Sequence, residues 1–258
     1  MHQTGKRFIV TGGCGGIGAS VARYLVRQGA VVAIFDIKDK EGISLVNSLN
    51  SQSTAKSLYL HVDVSNKTEV ELAVKKTAEA LQGLDGLAHT AGIESRTPLE
   101  TILEEEWDRV LDINLKGTFL MNQAVFPYFK ENGGGVILNM GSDSGLEPLP
   151  PAAHYSSSKG GVHTFTRAAS VEWGKYNIRV NALLPLASTP MVDQYLNRLT
   201  EKELEQQKAY LAARIPLGGG LGDPDTDVTP MVAFLLSDAS RFVTGQLICV
   251  NGGFCAVR

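Results

Sequence analysis

Two side chains four residues apart, the phenol of Tyr155 and the ammonium of Lys159, form the pair whose chemistry is easiest to infer from the sequence. On a helix, residues i and i+4 lie on the same face, so the two groups would meet. A free tyrosine loses its proton at about pH 10 and is a poor general base at neutral pH, but a nearby ammonium favours the phenolate and lowers its pKa. The pair indicates proton transfer to or from a substrate oxygen, although the spacing alone is weak evidence.

A glycine-rich turn follows the first apolar segment of the chain. Glycines let backbone N–H groups approach a phosphate closely, and a helix that begins at the turn adds a partial positive charge. The position between a strand and a helix favours a pyrophosphate site over a plain strand–helix turn. The predicted contact residues are Thr11, Gly12, Gly13, Gly16, Ile17 and Gly18.

Two acidic residues after later strands could complete a dinucleotide site. Asp36 lies eighteen residues after Gly18, where a carboxylate can accept both hydrogen bonds from an adenosine ribose and would repel a 2′-phosphate. This favours NAD over NADP as the cofactor. Asp63 and Val64 close the third strand, where the carboxylate could meet the adenine amino group; a turn-forming aspartate is an equally open interpretation.

The elements that must position these groups alternate between strand and helix. Apolar, β-branched segments predict strands, because strands buried on both faces of a parallel sheet are apolar throughout. The alternation predicts a doubly wound, Rossmann-type α/β fold of about seven parallel strands in three layers, with residues 1–258 as a single domain. The predicted strands are 7–11, 31–35, 57–62, 86–89, 136–140, 179–184 and 247–250. The predicted helices are 17–28, 40–49, 68–81, 103–130, 152–176 and 226–236.

Residues 186–223 interrupt this alternation with a charged helical stretch at 200–213 and a glycine-rich segment at 218–222. Ligands of such folds bind beyond the carboxyl ends of the strands. The segment, which follows the sixth strand, is therefore expected to be a substrate lid; an exposed loop without a function is the alternative.

Composition excludes several classes of function. The chain has 258 residues, 43% hydrophobic and 20% charged, with a formal net charge of −3, which is typical of a globular domain. The chain has no block of basic residues that would bind nucleic acid, and it has no apolar run long enough to span a membrane. The N-terminus carries no signal-peptide pattern, and the three cysteines (Cys14, Cys249 and Cys255) favour free thiols over disulfides or zinc. We therefore expect a cytoplasmic protein without a metal.

Two further residues and the glycine-rich turn place the Tyr155–Lys159 pair in a known context. Asn114 lies in Asp112-Ile113-Asn114-Leu115-Lys116-Gly117, and Ser142 ends the fifth strand thirteen residues before Tyr155. Together with Thr11-Gly-x-x-x-Gly16-x-Gly18, these residues resemble the short-chain dehydrogenase/reductase family, from the first strand to Val250-Asn251-Gly252-Gly253. The turn also fits the glycine spacing of the extended, epimerase-type branch, but the eight residues after Val250 are too few for that branch's substrate domain.

The resemblance implies a catalytic tetrad. Tyr155 would exchange a proton with the substrate oxygen, and Lys159 would lower the pKa of that phenol and hold the nicotinamide ribose. Ser142 would donate a hydrogen bond to the substrate oxygen, and Asn114 would hold a water that relays the proton outward. The resemblance also implies cofactor contacts at Ala91, Gly92, Pro185 and Thr189. Substrate contacts are expected at Ser142 and Tyr155 and, because they follow strand ends or lie in the lid, at Ser144, His154 and Met191.

The chain departs from the family pattern at three places. His89-Thr90-Ala91-Gly92 stands where Asn-Asn-Ala-Gly is usual, and His89 is expected to be a packed core residue. Pro185-Leu186 replaces Pro-Gly, and the stretch to Met191 is one residue short, which affects how the nicotinamide carboxamide is anchored. Gly141 replaces a serine before Ser142, which we expect to widen the pocket slightly.

The function that these residues predict is an NAD-dependent oxidoreductase of a secondary alcohol or its ketone. A 3-oxoacyl-thioester reductase is the alternative, and such enzymes generally favour NADPH; a cofactor-binding protein without turnover is a second alternative. The stiff stretch Pro148-Leu149-Pro150-Pro151 would, with Met191, give the substrate an apolar wall, whereas Arg96 is the nearby cation that could pair with an anionic substrate. We expect an uncharged, apolar substrate and, by analogy and from the apolar surface of two long helices, a homotetramer.

Overall fold

Seven strands pair in parallel to form one sheet in the computed structural model, which describes residues 3–53 and 56–257. The order of the strands is β3-β2-β1-β4-β5-β6-β7. They are β1 (Arg7–Thr11), β2 (Val31–Asp36), β3 (Leu58–His61), β4 (Gly86–His89), β5 (Gly135–Met140), β6 (Ile178–Pro185) and β7 (Leu247–Val250). Because both faces of the sheet are covered, β1, β2, β4 and β5 are buried along almost their whole length. The predicted doubly wound α/β fold of about seven strands is confirmed.

Nine α-helices connect the strands in the described part of the chain. They are α1 (Gly16–Arg27), α2 (Asp39–Ser51), α3 (Lys67–Leu81), α4 (Glu104–Leu111), α5 (Gly117–Glu131), α6 (Ala153–Trp173), α7 (Pro190–Leu196), α8 (Glu201–Arg214) and α9 (Thr229–Leu235). Apolar residues of α1, α2 and α9 pack on one face of the sheet. Residues of α3, α5 and α6 pack on the other face, which completes the three layers.

The order of the strands changes direction between β1 and β4, and this point lies at the centre of the sheet. Thr11 and His89, the last residues of these two strands, are register partners. In open α/β sheets, ligands bind beyond the carboxyl ends of the strands at such a reversal. The glycine-rich turn after β1 and residues 90–92 after β4 therefore border the same crevice.

The helix predicted at 103–130 is interrupted. A π-helical turn, Asp112–Lys116, joins α4 to α5 and carries Asn114. Such turns are frequent at functional sites because they redirect one residue out of the regular ladder. The hydrophobic pattern continues through the turn, so the sequence did not show it. The sequence also missed α7, which begins the 186–223 segment after the N-cap Thr189.

No helix among the described residues is both long enough and apolar enough to cross a lipid bilayer.

Candidate active site

The glycine-rich turn between β1 and α1 has no room for side chains at its critical positions. Gly12 has a φ of +60°, and a Cβ there would lie 2.8 Å from Ala91 Cα. A Cβ on Gly18 would lie 2.3 Å from the carbonyl oxygen of Gly12. The turn is thus closed on its inner side, whereas a Cβ on Gly15 would meet nothing within 4 Å. This cradle at the start of α1 fits the pyrophosphate of a dinucleotide.

Thr11 and His89 join the turn to the end of β4. The Thr11 Oγ1 lies 2.8 Å from His89 Nδ1 and accepts a hydrogen bond from the Ala91 N–H at 3.1 Å. His89 is 1% exposed, as expected for a packed core histidine. Burial, aided by the charge of Lys159, lowers the pKa of His89 to about 3, so the ring is neutral. A neutral histidine here supplies the bond between strand end and turn that the usual asparagine would make.

The Asp36 carboxylate lies beside the glycine turn. Its Oδ2 accepts a hydrogen bond from the Cys14 N–H at 3.0 Å, and its Oδ1 accepts one from the Lys38 N–H at 3.2 Å. A carboxylate has about four acceptor positions, so Asp36 retains acceptors for two ribose hydroxyls. Its place at the end of β2 fits the ribose of a bound cofactor.

Asp63 holds the turn after β3. Its Oδ1 accepts hydrogen bonds from the N–H and the hydroxyl of Ser65, at 2.9 Å and 2.7 Å. This is the turn-forming interaction, and the other carboxylate oxygen keeps its acceptor positions for an adenine amino group. Val64 is 6% exposed and packs against the start of α5 at Gly117.

Lys159 is fixed at the end of β5. Its ammonium donates a hydrogen bond to the Met140 carbonyl at 2.9 Å and lies 5.7 Å from the centre of the Tyr155 ring. A Cβ on Gly92 would come within 3.4 Å of the Lys159 Nζ. An ammonium has three donors, so two remain for ribose hydroxyls at this point of the crevice.

The pKa values of the pair differ from the expectation. Burial raises the pKa of Tyr155 to about 12, the nearby Glu94 charge adds to the effect, and the Ser142 hydroxyl opposes it. Burial also lowers the pKa of Lys159 to about 8. The raised pKa of Tyr155 is opposite in direction to the lowering expected from Lys159, and loss of solvent is its largest cause.

Ser142 follows β5 and is held by two groups. Its Oγ accepts hydrogen bonds from the N–H and the hydroxyl of Ser144, at 3.2 Å and 2.9 Å. A hydroxyl has two lone pairs and one hydrogen, so the Ser142 hydrogen is the part left to reach the Tyr155 phenol or a substrate oxygen bound beside it. Ser144 is 7% exposed, so its two hydrogen bonds fix the Ser142 hydroxyl from the buried side of the site.

His163 is a residue that the sequence analysis missed. Its Nε2 accepts a hydrogen bond from the Ser142 N–H at 3.4 Å, and burial lowers its pKa to about 4, which keeps the ring neutral. A Cβ on Gly141 would lie 2.7 Å from the same Nε2. The expected widening of the pocket at Gly141 is therefore wrong, since the His163 ring fills that space. The position of His163 two turns after Tyr155 was the available signal.

The Asn114 side chain is fully engaged. Its Oδ1 accepts from the Ile93 N–H at 2.8 Å, and its Nδ2 donates to the Ile93 carbonyl at 2.9 Å and to Ser158 Oγ at 3.0 Å. Asn114 thus ties the loop after β4 to α6, where Tyr155 and Lys159 lie. A Cβ on Gly92 would lie 3.1 Å from its Oδ1, so the side chain borders the crevice.

Two contacts connect the 186–223 segment to loops at the carboxyl edge of the sheet. The Arg96 guanidinium lies 3.6 Å from the centre of the Tyr195 ring and donates to Glu94 at 2.6 Å. Arg214 donates to Glu147 at 2.6 Å. The charge of Arg96 is therefore matched within the protein, where the sequence had left it open for a substrate anion.

The backbone at the start of this segment pairs with the end of β7 and with the segment's own end. The Leu186 N–H donates to Val250 at 3.0 Å, and the Ser188 N–H donates to Gly222 at 2.9 Å. Pro185 is the last residue of β6, and Thr189 lies against the glycine turn, with its Cβ 3.6 Å from the position of a Cβ on Gly16. The segment therefore begins at the predicted cofactor crevice.

Of the predicted substrate residues, Met191 and His154 lie in different surroundings. Met191 is 41% exposed on α7. His154 is completely buried, and its Nε2 lies 3.2 Å from Glu106, which also accepts from Thr97 at 2.7 Å. His154 therefore stabilises the loop after β4 through Glu106, which bonds both His154 and Thr97 of that loop.

Comparisons with known proteins agree with this geometry. A family model described as enoyl-(acyl carrier protein) reductase matches residues 12–255. The chain is 35% identical over 255 residues to a cyclopentanol dehydrogenase of Comamonas sp. (strain NCIMB 9872), with 97% of each chain covered. It is 34% identical to a 3-oxoacyl-(acyl-carrier-protein) reductase of Thermotoga maritima, covering 98% of this chain and 99% of the relative.

The fold gives the same result. The crystal structure of levodione reductase superposes with a TM-score of 0.91 at 30% sequence identity, covering 97% of both chains. Likeness in sequence and in fold extends over nearly the whole chain, and the chain therefore belongs to the short-chain dehydrogenase/reductase family, the nicotinamide-dependent oxidoreductases of alcohol and ketone groups.

Proposed function

We propose that this protein is an NAD-dependent oxidoreductase that interconverts an uncharged secondary alcohol and its ketone. The observation that carries the proposal is the grouping of Ser142, Tyr155 and Lys159 at the carboxyl edge of β5, next to the crevice of the glycine turn. A hydroxyl donor, a phenol and an ammonium at one point can bind and protonate one oxygen.

The residues that would hold the cofactor follow the crevice. The glycine turn would take the pyrophosphate, Asp36 the adenosine ribose, and Asp63 with Val64 the adenine. The free donors of Lys159 would take the nicotinamide ribose. Ala91, Gly92, Pro185 and Thr189 would border the nicotinamide end, and the bound nicotinamide would accept or supply the hydride.

Ser142 and Tyr155 would act on the substrate oxygen. The Ser142 hydrogen orients that oxygen, since both lone pairs of its Oγ are occupied by Ser144. With a pKa of about 12, the Tyr155 phenol is protonated at neutral pH, so it is equipped to donate a proton to a ketone. In the opposite direction the phenolate would take the alcohol proton, which rising pH favours.

Lys159 and Asn114 would connect the phenol to solvent. Lys159 holds a positive charge near the ring below about pH 8, where its ammonium is protonated. Asn114 would hold the relaying water, and since its side-chain amide is already bonded to Ile93 and Ser158, the water would be held at its main chain.

The preference for an uncharged substrate rests on the charges at the edge of the site. Glu94 neutralises Arg96, and Tyr195 covers the guanidinium. An anionic substrate would therefore have to break an existing ion pair. A cyclic or medium-sized secondary alcohol fits this surrounding, and the names of the cyclopentanol dehydrogenase and levodione reductase relatives support it.

Turnover of a panel of alcohols and ketones with NAD(H) and NADP(H) tests the function. The panel holds cyclic alcohols, linear secondary alcohols, 2-hydroxy acids and a 3-oxoacyl thioester. We expect the best kcat/KM with an uncharged alcohol and NAD. An anionic hydroxy acid that loses its advantage in Arg96→Ala would contradict the substrate class, and a 3-oxoacyl thioester used best with NADPH would replace the proposal.

The Tyr155→Phe variant tests the assignment of the acid–base. It keeps the ring but lacks the proton, so turnover should fall below about a hundredth while cofactor binding stays near the wild-type value. Tyr24→Phe, on α1, is the matched control and should retain activity. Cofactor binding in the wild-type protein without turnover of any substrate would instead indicate a binding protein.

Three wider properties belong to the same proposal. We propose a single catalytic domain with 186–223 as its lid, a homotetramer and a cytoplasmic location. Exposed Phe119 on α5 and Val171 on α6 supply apolar surface for association of subunits. Sedimentation at micromolar concentration should show a species four times the mass of one chain, and a monomer would contradict the tetramer.

A further inference from the structure

Three potential metal ligands meet at the carboxyl edge of β5 and β7. Asp143 follows Ser142, Cys249 lies in β7, and Cys255 lies beyond the turn after β7. Their ligand atoms all lie within 4.8 Å of one another. The Cys255 Sγ is 3.2 Å from Asp143 Oδ1. Residues more than a hundred positions apart in the chain are thus gathered into one cluster by the fold.

Asp143 is buried, and its hydrogen-bond partners are neutral. It is 6% exposed, and it accepts from the Asn251 amide at 3.0 Å and 3.1 Å and from the Cys255 thiol. Among the residues that the structure describes, no lysine, arginine or histidine forms an ion pair with it. Buried carboxylates are normally paired with a cation or bound to a metal. Within the part of the chain that the structure describes, Asp143 therefore has no cation of its own.

The distances suit a tetrahedral cation with sulfur ligands. Zinc bonds of about 2.3 Å to sulfur and about 2.1 Å to oxygen place neighbouring ligands about 3.6–3.8 Å apart. The Cys255–Asp143 pair at 3.2 Å would open by a few tenths of an ångström. Asn251 would not be displaced, because Asp143 Oδ2 keeps a second acceptor position and deprotonation of Cys255 would free one on Oδ1.

We propose that Asp143, Cys249 and Cys255 form a binding site for a thiophilic divalent cation of the zinc class. The cation would take the place of the two thiol protons, which pass to solvent, and would bind two thiolates and one carboxylate. A water would complete the four ligands. The partly exposed Cys249 gives the cation a way in. No electron transfer is involved, and the proposal does not depend on the proposed oxidoreductase function.

A disulfide between Cys249 and Cys255 is the competing outcome. It would leave the buried Asp143 without a cation and remove a hydrogen-bond donor from it, so the carboxylate favours the metal. Zinc titration of the reduced full-length protein under anaerobic conditions separates the two. We expect one zinc per chain at micromolar affinity or tighter, with release of about two protons measured calorimetrically in buffers of different ionisation enthalpy.

Cadmium provides a direct spectroscopic test on the wild-type protein. One equivalent should produce thiolate-to-metal charge-transfer absorption in the ultraviolet. Cys249→Ser and Cys255→Ser should each lose about half of that absorption and weaken zinc binding at least tenfold, their double variant should lose all of it, and Asp143→Asn should weaken zinc binding while keeping the absorption. Cys14→Ser, which removes the distant third thiol, is the matched control and should bind as the wild type.

The outcomes are decisive even where a variant folds poorly, because the wild-type protein alone gives the first result. Absence of the absorption at one equivalent, or zinc binding only at millimolar concentration, overturns the proposal. So does a site that survives replacement of both cysteines. Loss of two free thiols in air without any metal binding would identify the pair as a disulfide.

Discussion

The Lys159 ammonium donates a hydrogen bond to the main-chain carbonyl of Met140, two residues before Ser142. This contact joins the middle of α6 to the carboxyl end of β5, so the lysine and the serine keep a fixed separation. It also keeps an ammonium in a nearly dry position, since Lys159 is 4% exposed. The position lowers the pKa of Lys159 to about 8, and the stability of the protein should reflect it.

Replacing Lys159 by methionine should change how stability depends on pH. The folded pKa is about 8 and the ordinary value is 10.5, so between these values the unfolded chain binds the proton more strongly. Burial of the charged Lys159 ammonium lowers the free energy of unfolding of the wild type. This destabilisation is complete below about pH 8 and is lost as the pH rises toward 10.5. Relative to Lys159→Met, the wild type should gain up to about 3 kcal/mol across this window. Guanidinium unfolding of both proteins at several pH values measures it, and a constant difference would be evidence against a buried, weakened ammonium.

Acid should destabilise the protein through His89. Its folded pKa of about 3 lies below the ordinary 6.5, so the unfolded chain gains a proton first as the pH falls. The stability supplied by the neutral ring is therefore complete above pH 6.5 and is lost toward pH 3. The His89→Asn variant lacks the titrating ring. Relative to this variant, the free energy of unfolding of the wild type should fall by up to about 1.4 kcal/mol per pH unit as the pH decreases. His163 titrates in both proteins, so the difference isolates His89; equal acid sensitivity would contradict a buried, neutral His89.

Removing the Asp36 carboxylate should narrow the proposed preference for NAD over NADP. The carboxylate at the end of β2 would repel a 2′-phosphate, and relief of that repulsion in Asp36→Ala should change the ratio of kcat/KM for NAD and NADP by about tenfold or more. Loss of ribose hydrogen bonds should also raise the KM for NAD. Glu41→Ala, which removes an exposed carboxylate of α2, is the matched control. Equal or better use of NADP by the wild type would show that Asp36 does not select the cofactor.

Breaking the contact between Arg96 and Tyr195 should loosen the proposed lid. Arg96→Ala and Tyr195→Ala each remove the 3.6 Å stacking contact, which should raise the substrate KM by about 2- to 10-fold while kcat changes less. The double variant should cost no more than either single one, because the two residues share one interaction. Arg198→Ala, an exposed arginine after α7, serves as control. Additive losses would mean that the two residues act separately.

The sequence determined the layers of the fold and which residues are proposed as the reacting groups. Short segments that are apolar and β-branched throughout are typical of strands that are covered on both faces. Seven such segments in the sequence predicted the seven strands of the sheet. The i and i+4 spacing of Tyr155 and Lys159 is likewise local, and both lie on α6 with Lys159 directed to β5. Local periodicity reports these features because each depends on residues close together in the chain.

Only the tertiary structure decided the contacts between residues that lie far apart in the sequence. The contact of His163 with Ser142 and the filling of the space beside Gly141 depend on how α6 packs on β5. The π-helical turn that carries Asn114 leaves the hydrophobic pattern unchanged, so no periodicity reveals it.

The direction of the Tyr155 pKa shift also came from the structure. A charge four residues away suggests a lowered pKa, but loss of solvent around the folded site raises it to about 12. The meeting of Cys249, Cys255 and Asp143 is of the same kind, since 108 positions separate Asp143 from Asn251, which holds its carboxylate. Burial and contacts between distant residues arise only when the chain is packed. Local patterns in the sequence therefore do not predict either of them.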